Sequence, residues 1–149
     1  MAKPDQIFSF MLDYTTRNMR RYAAEIFASE GLGITVDQWG VLLLLTESDG
    51  GLSNTQLAES MVKDKPTMTR MVDVLVRKSL VDRRADKDDR RQQRISLTAK
   101  GKAAARKAEP IVERVRKEVG SALTRAQRES LIECLERLNA RIEGLRESA

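Results

Sequence analysis

The stretch Ser53–Lys78 reads SNTQLAESMVKDKPTMTRMVDVLVRK, and its two halves decide the fold. Ser53-Asn54-Thr55-Gln56 is a capping-box sequence: the serine hydroxyl can take a backbone N–H while Gln56 reaches back to the cap. It opens a short helix whose apolar side is Leu57, Ala58 and Met61. A turn follows at Val62-Lys63-Asp64. A second helix is predicted from Lys65 to Lys78, with Pro66 in its first turn, where the missing N–H has no helical partner to lose. On a helical wheel Met68, Met71, Val72 and Leu75 fall on one side, and Thr69, Arg70, Asp73 and Arg77 on the other. Two helices joined by a tight turn, the second polar and basic outside, is the arrangement by which a recognition helix enters the DNA major groove. Arg70 is the candidate for a base edge, because a guanidinium can donate twice to guanine. Lys63, Lys65, Thr67 and Thr69 suit phosphates better. Taken singly, Arg70 or Arg77 reads better as part of a solvated face, and it is the conjunction of features that points to DNA.

Downstream of this pair the period changes from helical to alternating. Leu80–Ala85 and Gln92–Leu97 read as short strands, the second placing Ile95 and Leu97 between Arg94 and Ser96. Between them Asp86-Lys87-Asp88-Asp89-Arg90-Arg91 is a charged tip without an apolar residue. A helix pair followed at once by an arginine-tipped hairpin is the order a winged helix-turn-helix requires. Such a tip can reach the neighbouring minor groove, whose negative potential attracts arginine. Asp89, Arg90 and Arg91 are its candidate residues. The alternative is a soluble loop.

On either side lie longer helices. Ile7, Phe10, Met11, Tyr14, Asn18, Tyr22 and Ile26 recur at helical spacings from Asp5 to Ser29, with Asn18 the one polar interruption, ahead of Gly31 and Gly33. Thr35-Val36-Asp37-Gln38 is a further capping box and opens a helix carrying Trp39, Leu42, Leu43 and Leu45. Thr98 can cap a helix through Ile111, Val112, Val115 and Val119, in which Pro110 should kink or weaken one turn. A third box, Thr124-Arg125-Ala126-Gln127, opens a last helix with Leu131, Cys134, Leu135, Leu138, Ile142 and Leu145. The expected fold class is mostly α with a small β-hairpin. The first and last helices each carry a long apolar stripe. A two-fold dimer that buries both would set two recognition helices roughly 34–36 Å apart on one DNA face. Cys134 lies in the apolar register and reads as a packing residue.

Charge is distributed to match. The net charge of the 149 residues is +5, yet residues 61–102 hold 13 Lys+Arg against 6 Asp+Glu, a local balance of +7. The rest of the chain is therefore at −2, so the positive charge sits on the helix pair and hairpin, as phosphate contact requires. The chain has no histidine and one cysteine, Cys134. An internal disulfide and the usual transition-metal sites are thereby disfavoured. No glycine-rich phosphate loop or G-x-S-x-G is present, so neither an enzyme nor a cofactor is expected. The longest apolar run, Val41–Leu45, is too short to cross a bilayer and the first residues turn polar at once. A cytoplasmic protein is expected.

The run Asp89-Arg90-Arg91-Gln92-Gln93-Arg94-Ile95-Ser96-Leu97-Thr98, with Gly101 after it, resembles the wing signature of the multiple antibiotic resistance regulator (MarR) family. Gln56-Leu57-Ala58 and Asp64–Val72 are similar to that family's helix-turn-helix, and helix order and length match along essentially the whole chain. The resemblance implies a homodimeric regulator that binds a pseudo-palindromic double-stranded DNA operator, usually a repressor released by a small molecule or an oxidant. It implies dimerisation helices at 5–30 and 99–147 around a winged helix-turn-helix at 35–97. It implies that Arg70 reads the major groove and that Asp89 orients Arg91 at the minor groove. Pro66 departs from the small polar residue more usual there. The resemblance further implies a small aromatic effector between the dimer helices and the reading head, for which Tyr14, Arg17 and Trp39 are candidates. Tyr14 and Trp39 fit a core or interface role as well. The family's oxidation-sensing branch has its cysteine near the chain start, where this sequence has none. A protein-interaction module of the same fold, or a non-specific DNA-binding protein, stays open as the alternative.

Overall fold

A computed structural model describes residues 4–86 and 92–148. Among them the chain forms α1 (Pro4–Ser29), α2 (Val36–Glu47), β1 (Leu52–Ser53), α3 (Asn54–Ser60), α4 (Lys65–Arg77), β2 (Val81–Ala85), β3 (Gln93–Leu97), α5 (Ala99–Gly120) and α6 (Arg125–Glu147). Six helices with a small three-stranded antiparallel sheet match the expected class. No helix among the described residues is long and apolar enough to cross a membrane. The chain divides into two compact units, Met1–Val112 and Glu113–Ala149.

In the first unit, local chemistry sets the helix ends. Thr35 and Ser53 each accept from the backbone N–H three residues on, while Gln38 and Gln56 accept from the cap N–H, so both capping boxes form. At the far ends of α3 and α4 the chain turns through left-handed residues, Val62 at φ 51° and Ser79 at φ 58°. The bonds Lys63 N–H to Ala58 C=O and Leu80 N–H to Leu75 C=O close these turns. They are the six-to-one bonds of a Schellman ending.

The sheet order is β1-β3-β2. β2 pairs with β3 from Val81↔Leu97 to Ala85↔Gln93, and β1 pairs Leu52 with Ile95. β1 was not expected. Two residues are too short for an alternating pattern, and this strand exists only through its pairing with β3. Gly51, at φ +87°, brings it in, and a Cβ there would stand 2.4 Å from the Ile95 carbonyl oxygen.

The core gathers Val41, Leu42 and Leu45 from α2, Leu57 from α3, Met68, Val72 and Leu75 from α4, Val81 and Ile95 from the sheet, and Ala105 and Ala108 from α5. α1 contributes Phe27, which is buried, rather than the predicted stripe; Ile7, Phe10, Met11 and Tyr14 are exposed. Towards the end of the stripe Tyr22 and Ile26 are half-buried. α5 runs unbroken through Pro110.

In the second unit Thr124 and Gln127 form the third capping box. Arg128 Nη1 donates to the carbonyls of Gly120 and Leu123 at 2.7 and 2.9 Å and so closes the turn before α6. α6 buries none of its residues: Leu131, Ile132, Leu138, Ile142 and Leu145 are all exposed. Cys134 is exposed too, so within one chain it is not the packing residue its register suggested.

Candidate nucleic-acid interface

The side chains at the start of α4 form a connected set. Asp64 is the helix cap, and its Oδ1 accepts from the Thr67 N–H at 2.8 Å. The Thr67 hydroxyl donates to Asp64 Oδ2 at 2.7 Å and accepts from Arg70 Nη2 at 3.3 Å. The Thr67 N–H and then the Thr67 hydroxyl hold the Asp64 carboxyl below the usual carboxylate range, against a smaller desolvation effect, and its own backbone N–H and the Arg70 charge add still smaller pulls in the same direction. Arg70 is thereby steadied at the exposed face of the helix by its own cap.

Thr69 is tied differently. Its hydroxyl donates to the Lys65 carbonyl at 2.9 Å and accepts from Asn54 Nδ2 at 3.1 Å. Asn54, at the first turn of α3, therefore bridges the two helices. The Thr69 donor is already engaged, which leaves its methyl group and a lone pair for any partner. Lys65 and Arg77 are exposed on the same helix.

Lys63, the candidate phosphate contact before α4, is half-buried. Its side chain is only 18% exposed and its ammonium pairs with Asp37 Oδ2 at 3.0 Å, inside the fold. An ammonium has three donors, so a phosphate contact from Lys63 would share its charge with that pair. Asp89, Arg90 and Arg91 lie outside the described residues. What is described is the base of their hairpin: Asp86 N–H donates to the Gln92 carbonyl, and Arg94 Nε donates to Asp86 Oδ2 at 2.6 Å. Arg83 on β2 pairs with Asp73 on α4 and fixes the sheet against the helix. Asn54, Asp73, Arg83 and Arg94 were missed as parts of this network because each partner is brought in by tertiary contact.

The three candidate effector residues do not converge within one chain. Trp39 is buried and lines a cleft of about 860 Å³ with Leu43, Arg84, Leu97, Lys102 and Arg106. Neither Tyr14 nor Arg17 lines it. Tyr14 is exposed and stacks on Phe10, with ring centroids 6.1 Å apart, and Arg17 pairs with Asp13 along α1. Among the described residues no group of three or more His, Cys, Asp or Glu is placed to hold a metal ion.

The arrangement has known counterparts. The model of the MarR family matches residues 34–92. The chain superposes on a MepR–DNA complex from S. aureus with a TM-score of 0.81 at 23% identity, over 89% of this chain and 96% of that one. AbsC, a MarR family transcriptional regulator from Streptomyces coelicolor, gives 0.85 at 21% identity, over 97% of each chain. CouR from Rhodococcus jostii RHA1, bound to p-coumaroyl-CoA, gives 0.78 at 21% identity, over 88% of this chain and 90% of that one.

Proposed function

We propose that the chain, whose residues 34–92 match the model of the MarR family, is a sequence-specific, double-stranded DNA-binding transcription regulator of that family that acts as a homodimer. The observation that carries this reading is the start of α4, where Arg70 is exposed and steadied through Thr67 by the helix cap Asp64. A guanidinium held near the first turn of a recognition helix is preorganised for a guanine edge. Thr67 and Lys65 beside it suit phosphates, Thr69 offers a methyl group to a thymine, and Arg77 extends the basic face. On this reading Arg91, oriented by Asp89, enters the minor groove, as the resemblance implies.

The dimer is supported by apolar surface. Ile7, Phe10, Met11 and Tyr14 on α1, and Leu131, Ile142 and Leu145 on α6, are exposed in the single chain. Contiguous apolar faces of this kind mark association sites. Residues 5–30 and 99–147 then serve as dimerisation helices, and Cys134 packs in the interface. Two copies related by a two-fold axis would read a pseudo-palindromic operator.

The likeness to the MepR–DNA complex and to CouR with its bound thioester supports a ligand-responsive repressor. The cleft at Trp39 is the proposed effector site. Leu43, Leu45 and Leu97 in its lining suit a small aromatic molecule, and Lys102 and Arg106 suit an acidic group on it, with Asp49, Asp86 and Glu109 lining the same cleft. Aromatic carboxylates that quench Trp39 fluorescence should then lower DNA affinity, and quenching with unchanged affinity would remove the effector from this account. The reading as a whole is tested by repeated selection of binding sites from a random duplex pool. A regulator enriches one motif with two inverted half-sites. A non-specific binder enriches none, and an interaction module retains no DNA.

A further inference from the structure

The recognition helix α4 is flanked by two lysines, Lys63 before it and Lys78 at its end. Both direct their charge inward. Lys63 Nζ lies 3.0 Å from Asp37 Oδ2, and Asp37 Oδ1 accepts from Arg20 Nη1 of α1 at 2.8 Å. One carboxylate in the first turn of α2 thus joins α1 to the turn of the helix-turn-helix. Lys78 Nζ donates to the Gly33 carbonyl at 2.7 Å and to Gln38 Oε1 at 3.1 Å. Gln38 is buried, and its Oε1 also accepts from the Thr35 N–H. The two ends of α4 are therefore fastened to the same corner, the junction of α1 and α2. Met68, Val72 and Leu75 already pack α4 into the core, and the two ties add a fixed attachment of its ends to α1 and α2. Holding a lysine in a single geometry costs rotamer entropy, which an ordinary solvated lysine does not give up.

We propose that Lys63 and Lys78 are positioning residues, with Asp37, Gln38 and Gly33 as their anchors, that make the placement of α1 set the placement of the recognition helix. The separation of half-sites that the dimer accepts follows from this tie. The proposal rests on the reading of the chain as a DNA-binding homodimer with α1 in its interface. In such a dimer the distance between recognition helices is fixed by how rigidly each is held to the dimer helices. A loosened tie accepts several distances where a firm one accepts one.

The test uses a duplex recovered by selection from a random pool, together with versions of it in which the half-sites are moved one base pair closer or further apart. The full-length wild-type protein and Lys63→Arg, which keeps the pair with Asp37, should prefer the parent spacing by about tenfold or more. Asp37→Asn and Lys63→Met should bind the parent and the respaced duplexes within about twofold of each other, while remaining dimeric and folded. Full spacing discrimination in Asp37→Asn, with Lys63→Met weakening every duplex by one common factor, would overturn the proposal, since that is the behaviour of a phosphate contact. Absence of any preferred duplex for the wild type would overturn the DNA-reading premise, and the spacing role with it. Amide hydrogen exchange without DNA separates the two failures. The tie predicts faster exchange near Lys63 in Asp37→Asn with the β2–β3 strands unchanged, and unaltered exchange near Lys63 would overturn the tie itself.

Discussion

Arg94 closes on Asp86, Nε to Oδ2, at 2.6 Å, and its Nη1 reaches the Gly51 carbonyl at 2.8 Å. One side chain thus braces all three strands at the base of the hairpin. Although Arg94 lies in an arginine-rich run, its donors are directed into the fold. Replacing it with alanine should lower stability by about 1–2 kcal/mol, the worth of charge-assisted bonds discounted for partial exposure. Urea unfolding measures this. The Asp86 amide, which donates to Gln92, should exchange faster in the variant.

Gly101 stands where α5 begins against the turn into β2. A Cβ there would lie 1.9 Å from the Leu80 carbonyl oxygen. That contact is with backbone, so the helix would have to move away. Gly101→Ala should cost more than about 3 kcal/mol, in the range reserved for a forced rearrangement. Gly144→Ala is the control. It sits in open space on α6, and there alanine should be neutral or stabilising by about 0.5–1 kcal/mol. Chemical denaturation of both variants settles the comparison.

Val62 is a β-branched residue in the left-handed region, φ 51°, and is 80% exposed. The conformation is strained for any residue with a Cβ. Val62→Gly relieves that strain but adds unfolded-state entropy, so the net gain should be about 1 kcal/mol or somewhat less. A thermal midpoint raised by about 2–4 °C is the expected result for a chain of this size. A lowered midpoint would mean that Val62 makes a contact its exposure does not suggest.

The Asp64 cap makes a pH prediction. Its carboxyl is held below the usual range, first by the Thr67 N–H and then by the Thr67 hydroxyl. A group whose folded pKa is depressed contributes stability above its unfolded pKa, and this is lost as pH falls through the folded value. The stability difference between wild type and Asp64→Asn should be fully present at neutral pH and shrink in the acid range. Parallel curves at every pH would show that the charge is immaterial.

Much of this was legible because it is local. All three capping boxes, at Thr35, Ser53 and Thr124, form as their spacing predicts. The apolar face of α4 is buried at Met68, Val72 and Leu75. What the sequence could not show depends on partners far along the chain. Lys63 looks like a solvated cation until Asp37 is placed beside it. Arg94 looks like another wing arginine until the Gly51 carbonyl is placed against it. Periodicity gives the α1 stripe, but it does not say which apolar residues are buried within one chain: Phe27, outside the stripe, is buried, while Ile7, Phe10, Met11 and Tyr14 are exposed. The family resemblance makes Tyr14, Arg17 and Trp39 joint effector candidates, and the fold of one chain does not bring them together.

The central claim is that Arg70, on a preorganised recognition helix, reads DNA. The most direct measurement is a fluorescence anisotropy titration of wild type and Arg70→Ala against a selected duplex and a scrambled one, across a salt series. The account predicts wild-type binding to the selected duplex ~10³-fold or more above the scrambled one at physiological salt. It predicts steep weakening with added salt. Arg70→Ala should lose about 1–3 kcal/mol on the selected duplex, with a much smaller change on the scrambled one. Equal affinity for both duplexes, or an Arg70→Ala variant indistinguishable from wild type, would contradict it.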